Sequence, residues 1–294
     1  MKNRALFVDF VEKRGIYEKK CDFRDFGFYR GKMYVLTLAF CGKNYHGWQS
    51  QENAVTIQRV LKDVVSEIFR AETPFPSGCS RTDAGVHALE FIATVPELRN
   101  IPPENFQKGL NSFLPSDIRV TKVEIVEGMH DGREFVAGKH YRYMICTKPA
   151  ASPFAADYSW HSGYALDIPK MKEAIKHFVG IHDFASFMSA GSDVKTTVRT
   201  IHQAKITEFE GYLALDFSGD GFLKHQIRIM AGTLVGVGRG RIEPYEIPGL
   251  IEAKNRNLVP HTLPGSGLFL YKLFRTPEEM LAYKFPETFE GMVW

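Results

Sequence analysis

Apolar and polar residues alternate along the chain in blocks that predict short strands and helices. Residues 33–40 are rich in β-forming side chains, which predicts a strand. The segment after Thr56 has apolar residues three and four positions apart, so we expect a helix with Thr56 as its N-cap and one buried face. The residues of that face are Ile57, Val60, Leu61, Val64 and Ile68. Strands are also expected at 90–95 and 118–126, with a short helix between them.

The second half of the chain shows the same alternation. Asp167 and Pro169 are typical of a helix start, and Glu210-Gly211 predicts the turn of a hairpin. The other predicted strands are 139–147, 199–208, 212–217 and 267–274, and further helices are predicted at 223–237 and 243–255. Because hairpins are mixed with helices, the pattern favours an α+β fold over a doubly wound parallel sheet.

These patterns divide the chain into four parts. The first residues are charged and aromatic without a clear period, and two similar α+β halves follow. The predicted parts are an N-terminal extension at 1–31, an N-terminal half with the Asp83 loop at 32–132, a C-terminal half at 133–276 and a tail at 277–294.

The composition is typical of a globular protein and argues against membrane-spanning and secreted classes. Hydrophobic residues make up 44% of the chain and charged residues 24%, as in ordinary globular proteins. No apolar run reaches the roughly 20 residues that span a bilayer, and the first ten residues lack the apolar core of a signal peptide. The four cysteines lie far apart, which argues against a zinc site and against a disulfide framework. We therefore expect a protein of the reducing cytoplasm, with no membrane partner.

Charge is distributed unevenly along the chain. The net charge is only +3. Residues 133–148 and 222–241 are nevertheless poor in acids and hold several basic residues. These stretches either line a groove that follows a phosphate backbone or are solvated faces of the fold.

The segment with the most unusual chemistry is Arg81-Thr82-Asp83-Ala84-Gly85-Val86-His87. It places an acid, a base and a glycine in one predicted turn. Loops of this kind often present functional side chains, and glycine allows a close approach of the backbone. The alternative is that Asp83 only caps its own turn.

Six segments resemble the motifs of the tRNA pseudouridine synthase A family, and they follow one another along the chain in the same order as in the family. Residues 81–87 resemble its signature sequence. The other matching segments are Tyr45-His46-Gly47-Trp48-Gln49, Leu114-Pro115-Ser116-Asp117-Ile118, Lys139-His140-Tyr141-Arg142-Tyr143, Asp183-Phe184-Ala185-Ser186-Phe187 and Phe222-Leu223-Lys224-His225-Gln226-Ile227-Arg228. The resemblance covers the chain from Met33 to Phe274.

The resemblance implies a pseudouridine synthase fold, in which two ferredoxin-like α+β halves share a mixed, mainly antiparallel sheet with a central basic cleft. It implies an isomerase that detaches uracil from ribose and rejoins it through C5, in uridines at positions 38–40 of the tRNA anticodon stem-loop. It implies no cofactor and no metal, and the sequence contains no phosphate-binding glycine loop. The implied partners are tRNA and a second copy of the chain in a homodimer.

By this resemblance Asp83 is the catalytic residue, and Tyr141, Arg81 and Arg228 bind the substrate. Arg228 would keep the carboxylate ionised, and Tyr141 would stack on the flipped base. Arg81, which lies beside Asp83 in the sequence, would fill the space that the flipped nucleotide leaves or contact its phosphate. Each residue also has an alternative role. Arg228 could bind RNA phosphate from the surface of its helix, Tyr141 could be an aromatic residue of the core, and Arg81 could be a charge on the loop surface.

Two other functions compete with this interpretation. A non-catalytic RNA-binding or RNA-chaperone protein could use the same scaffold, but an inactive relative should have lost Asp83, Arg228 or Tyr141, and all three are present. A phosphatase with an aspartate nucleophile would need a second acid beside Asp83, which the sequence lacks. The residues leave open whether the carboxylate attacks C1′, attacks C6 or accepts a proton, and which group is the general acid or base.

Overall fold

The computed structural model describes residues 31–191 and 194–287, and in them the chain forms two compact units. The first unit contains the described residues up to Thr82 together with Glu90–Phe135. The second contains Asp83–Leu89 and the described chain from Val136 onward. Apart from Gly31, the predicted N-terminal extension lies outside the described residues, as does the last part of the predicted tail.

Strands and helices are interspersed along the described residues. The strands are β1 Lys32–Phe40, β2 Ser77–Gly78, β3 His87–Pro96, β4 Ile118–Glu127, β5 Gly138–Cys146, β6 Trp160–His161, β7 Gly180–Asp183, β8 Val198–Phe209, β9 Tyr212–Gly219 and β10 Leu268–Phe274. The α-helices are α1 Ile57–Phe69, α2 Pro103–Phe113, α3 Ile168–Ala174, α4 Gln226–Gly238, α5 Ile247–Glu252 and α6 Pro277–Ala282. Most paired strands are antiparallel, while β3–β10 and β5–β6 are parallel. The predicted α+β class with a mixed, mainly antiparallel sheet is confirmed.

The first unit is built on strands in the order β4-β1-β3, with β2 paired to β3. Its helices pack on β1 through aromatic rings. Tyr34 of β1 lies 4.4 Å from Phe106 of α2 and 6.3 Å from Phe69 of α1, measured between ring centroids, and all three side chains are fully buried. The predicted face of α1 is buried at Ile57 and Leu61. Helical spacing of apolar residues therefore produced the core of this unit.

The second unit begins with the first residues of β3 and continues in the order β10-β5-β9-β8-β7. Although the sequence places the Asp83 loop in the N-terminal half, Asp83–Leu89 belongs to this unit. The physical reason is that His87 pairs with Phe269 of β10 and its ring stacks on Phe269 at 4.7 Å. Helix α4 is apolar on nearly all sides and almost completely buried, as expected for a central helix.

The predicted helix caps are confirmed. Thr56 accepts a hydrogen bond from the backbone N–H of Arg59, and Asp167 accepts one from that of Lys170. Each cap satisfies a backbone donor that the first turn of a helix leaves without a partner. Helix caps can be predicted from the sequence because the accepting side chain and the donating backbone N–H lie only three residues apart.

Two helices are shorter than predicted, since left-handed residues limit them. The helix predicted at 223–237 begins only at Gln226, because His225 has a φ of 63°. The helix predicted at 243–255 is a 3-10 turn followed by α5, and Lys254, with a φ of 48°, stops it from continuing. In the part of the chain that the structure describes, no helix combines the length and apolar character that crossing a membrane requires.

Candidate active site

A tight turn presents Asp83 in the second unit. The backbone N–H of Val86 donates to the Asp83 carbonyl at 3.2 Å, and Gly85 takes a φ of 77°. Glycine adopts this left-handed conformation without a steric penalty. The turn also packs against Gly265, where a Cβ atom would collide with the Ala84 carbonyl oxygen. The backbone that directly follows Asp83 therefore lies close to the backbone at Gly265.

Two side chains at the start of α4 face the Asp83 carboxylate. Nη1 of Arg228 donates to Oδ2 at 3.0 Å, and Nε2 of His225 lies 3.4 Å from Oδ1. The Asp83 side chain remains 25% exposed, so the carboxylate is held from one side and open on another. The sequence-based pairing of Asp83 with Arg228 is thus present in the geometry.

Two opposing influences act on the pKa of Asp83. Burial alone would raise it, because desolvation disfavours a charged carboxylate. The hydrogen bond and charge of His225, followed by those of Arg228, outweigh burial and hold the pKa of Asp83 below its ordinary value. The carboxylate is therefore ionised at neutral pH, as a nucleophile or proton acceptor must be.

The guanidinium of Arg228 has a second anchor. Its Nε donates to the Leu263 carbonyl at 2.7 Å, and the Leu263 N–H donates back to the Arg228 carbonyl at 3.2 Å. The Tyr143 hydroxyl donates to the neighbouring Pro264 carbonyl at 2.9 Å. Burial strongly raises the pKa of Tyr143, so this donor stays protonated. The two bonds with Leu263 orient the Arg228 guanidinium.

Tyr141 lies in the middle of β5, between Leu270 of β10 and Phe217 of β9. Its ring meets Phe222 edge-on, with 5.3 Å between the ring centroids. Phe222 comes three residues before His225, so the tyrosine packs against the segment that leads to His225 and helix α4. The side chain is 7% exposed. Its stacking on a base stays a prediction.

Arg81 belongs to the other compact unit, and its side chain is exposed. Its predicted role stays a prediction. Within its own unit, the backbone N–H of Trp48 donates to the Thr82 carbonyl at 3.1 Å, and the buried Trp48 ring lies 4.4 Å from Phe91. Trp48 thus anchors the chain just before the Asp83 turn.

Metal coordination has little support in the described residues. In 31–191 and 194–287, no three or more His, Cys, Asp or Glu side chains are grouped so that they could hold an ion. Asp183, the acid after His182, accepts a hydrogen bond from the backbone of Ala185 and pairs with Lys254 at 2.9 Å. It caps a turn.

Sequence reasoning gave no role to His225 or Ser189, although the structure brings both to the site. Nδ1 of His225 lies 2.8 Å from the Ser189 hydroxyl, while Nε2 faces Asp83. The available signal was the position of His225 three residues before Arg228, a spacing at which side chains share a helix face. Nothing local indicates Ser189, which is 36 positions away.

Comparisons with known proteins identify relatives of this chain. The model of a family described as tRNA pseudouridine synthase matches residues 37–135 and 174–274. A tRNA pseudouridine synthase A of Thermoanaerobacter sp. is 37% identical over 239 residues, which is 81% of this chain and 98% of the relative. The protein of that name from Clostridium acetobutylicum is 40% identical over 238 residues, 81% of this chain and 97% of the relative.

A solved structure of an archaeal box H/ACA sRNP complex aligns with 70% of this chain and 44% of its own chain. The identity is 10% and the TM-score 0.31, which is too low to carry an argument.

Proposed function

The chain belongs to the tRNA pseudouridine synthase family, and we propose that it converts uridine to pseudouridine at positions 38–40 of the tRNA anticodon stem-loop. The observation that carries the proposal is the ionised Asp83 carboxylate, held by Arg228 and His225 and still partly open. The activity is that of an isomerase, and tRNA is its substrate. A cytoplasmic location is proposed on the basis of that substrate.

The reaction balances without a co-reactant. The C1′–N1 glycosidic bond breaks, a C1′–C5 bond forms, the C5 proton leaves and N1 gains a proton. Asp83 is the catalytic residue, by attack on the sugar, by attack on the base or by accepting a proton. Each of these roles needs the ionised carboxylate that Arg228 and His225 favour.

The remaining residues bind the flipped nucleotide or hold the Asp83 carboxylate. The Tyr141 ring offers a stacking surface, which offsets part of the cost of removing a base from its helix. Arg228 acts through Asp83 and is held in place by the Leu263 carbonyl. Arg81 is proposed to fill the space that the flipped nucleotide leaves or to contact its phosphate, because it lies two positions before Asp83 in the sequence.

A non-catalytic RNA-binding protein is the weaker candidate. An ionised carboxylate beside Arg228 reduces the attraction of that arginine for phosphate. A protein that only bound RNA would gain affinity from a neutral residue in place of Asp83.

The direct test is release of tritium from unmodified tRNA transcribed with [5-³H]uridine. We compare the wild type with Asp83→Asn, and a tRNA with uridines at 38–40 with one that has cytidines there. We expect release by the wild type from the first tRNA only, and undiminished tRNA binding by Asp83→Asn. Equal release from both tRNAs would contradict the proposed positions. Binding without release across a panel of tRNAs would favour the RNA-binding protein.

The homodimer is part of the proposal and is supported by the family resemblance. Light scattering coupled to size exclusion tests it, since the mass of one chain is 33.4 kDa.

A further inference from the structure

His225 carries a side chain where the backbone conformation favours glycine. It directly precedes α4 with a φ of 63° and a ψ of 4°. A residue with a Cβ atom adopts this left-handed conformation only when its surroundings enforce it. Such positions are concentrated at functional sites. The side chain that is kept here despite the strain is an imidazole directed at Asp83.

The imidazole is held at both ring nitrogens. Nδ1 lies 2.8 Å from the Ser189 hydroxyl, and Nε2 lies 3.4 Å from Oδ1 of Asp83. The backbone N–H of Ser189 donates to the Lys224 carbonyl at 3.2 Å, which keeps Ser189 beside the ring. With a proton on Nε2 the ring donates toward the carboxylate, while the Ser189 hydroxyl pairs with Nδ1.

Arg228 and His225 contact different oxygens of Asp83. Arg228 binds Oδ2, and a single contact leaves the carboxylate free to rotate about its Cβ–Cγ bond. A second partner at Oδ1 restricts that rotation. Because catalytic groups act only within a narrow range of orientations, the plane of the carboxylate affects the rate. A 3.4 Å separation is also typical of catalytic contacts that shorten once the substrate is bound.

We propose that His225 is a positioning residue, which together with Ser189 orients the Asp83 carboxylate toward the target uridine. This inference rests on the proposed function of the site. The imidazole contacts the charged Asp83, and Arg228 binds the other oxygen of the same carboxylate. Lys224 is adjacent in sequence but exposed, and its Nζ donates to the Ala190 carbonyl at 3.3 Å.

Two substitutions separate the role of the ring from the needs of the backbone. His225→Gly removes the side chain and relieves the left-handed conformation. His225→Asn tolerates that conformation and keeps a polar group near Ser189, but is too short to reach Asp83. Lys172→Ala is the control, since it removes an exposed charge of helix α3 that pairs with Glu208 and not with the site. Ser189→Ala tests the support of the ring.

The measurement is the single-turnover rate of tritium release at saturating tRNA, from pH 4.5 to 8. We expect both His225 variants to be about 10- to 100-fold slower at neutral pH, the effect of losing a hydrogen bond to a charged group. The pH below which the rate falls should be higher in these variants than in the wild type. Their affinity for tRNA should stay within about twofold of the wild-type value. Ser189→Ala should show a smaller loss in the same direction, and Lys172→Ala should show the wild-type rate and pH profile.

Several outcomes would overturn the inference. A wild-type rate in both His225 variants would exclude a positioning role. A loss confined to tRNA affinity would make His225 an RNA contact, and full activity of His225→Asn alone would make the ring a structural support for Ser189. If His225→Gly fails to fold, the Asn variant carries the test. An inactive wild type would overturn the proposed function, whereas an active wild type with full-rate variants overturns only this inference.

Discussion

Asp83 and Arg228 lie 145 positions apart in the chain, yet 3.0 Å separates Oδ2 of the carboxylate from Nη1 of the guanidinium. The same guanidinium donates to the Leu263 carbonyl. It therefore connects the Asp83 turn to the segment before β10. A partly buried ion pair with a second anchor keeps its geometry better than a surface pair, whose side chains must be ordered against their own entropy.

Removing the Arg228 charge should change the pH dependence of the reaction. Asp83 has a lowered pKa, so the wild type should keep its activity as pH falls until the pH reaches that lowered value. In Arg228→Gln the pKa of Asp83 rises, and activity should be lost at a higher pH. The profile of kcat/KM between pH 4.5 and 8 measures the shift. Arg239→Gln, at the other end of α4, is the control. It should lose activity at the same low pH as the wild type. Coincident profiles for Arg228→Gln and the wild type would contradict the assigned role of Arg228.

Tyr141 offers a ring and a hydroxyl, and two substitutions distinguish them. If stacking is its main role, Tyr141→Phe should lose less than about tenfold in single-turnover rate. Tyr141→Ala should lose about 5- to 150-fold more than Tyr141→Phe, because a stacked base is worth roughly 1–3 kcal/mol. Equal and severe losses in both variants would point instead to the hydroxyl as a proton-transfer group.

Gly265 should be essential for catalysis although it offers no side chain to the substrate. A Cβ atom there would collide with the Ala84 carbonyl and displace the Asp83 turn. We expect Gly265→Ala to lower kcat by roughly 100-fold, since a displacement of about 1 Å can have such an effect. Gly249→Ala is the matched control, because a Cβ atom at Gly249 has no neighbour within 4 Å and alanine favours helix α5. Unchanged kcat in Gly265→Ala would show that the turn can shift without consequence.

A fully buried ion pair on the opposite side of β5 from Tyr141 should support stability more than chemistry. Asp216 accepts hydrogen bonds from Arg142 at 2.8 Å and from His140 at 2.6 Å. Arg142 also donates to the Pro286 carbonyl at 2.9 Å, which ties down the chain after α6. Removing one partner leaves an uncompensated charge in the interior, so Asp216→Ala should cost about 3–5 kcal/mol.

Thermal unfolding measures the loss of stability in Asp216→Ala. The double variant Arg142→Met with Asp216→Leu should recover most of the lost stability, because it leaves no buried charge. At a temperature where all variants are folded, their single-turnover rates should match the wild type. A double variant as unstable as Asp216→Ala would show that the loss comes from packing.

Local patterns determined much of the secondary structure from the sequence alone. The strand β1, the helix α1 with its Thr56 cap and the β8–β9 hairpin depend on residues within a few positions of one another. The motif around Asp83, with the others in order, indicated the family and the acid at the site. Short strands such as β7 were missed, because four residues carry too little periodicity to be recognised.

The tertiary structure alone decided what surrounds Asp83. The sequence suggested Arg228 as a partner, but only the fold brings His225, Ser189 and Gly265 to the same place. The left-handed backbone of His225, which delays the start of α4, likewise depends on these long-range contacts. Periodicity and caps report interactions within about one helical turn. Distances between segments far apart in sequence, and the pKa shifts they cause, are set only when strands and helices pack together.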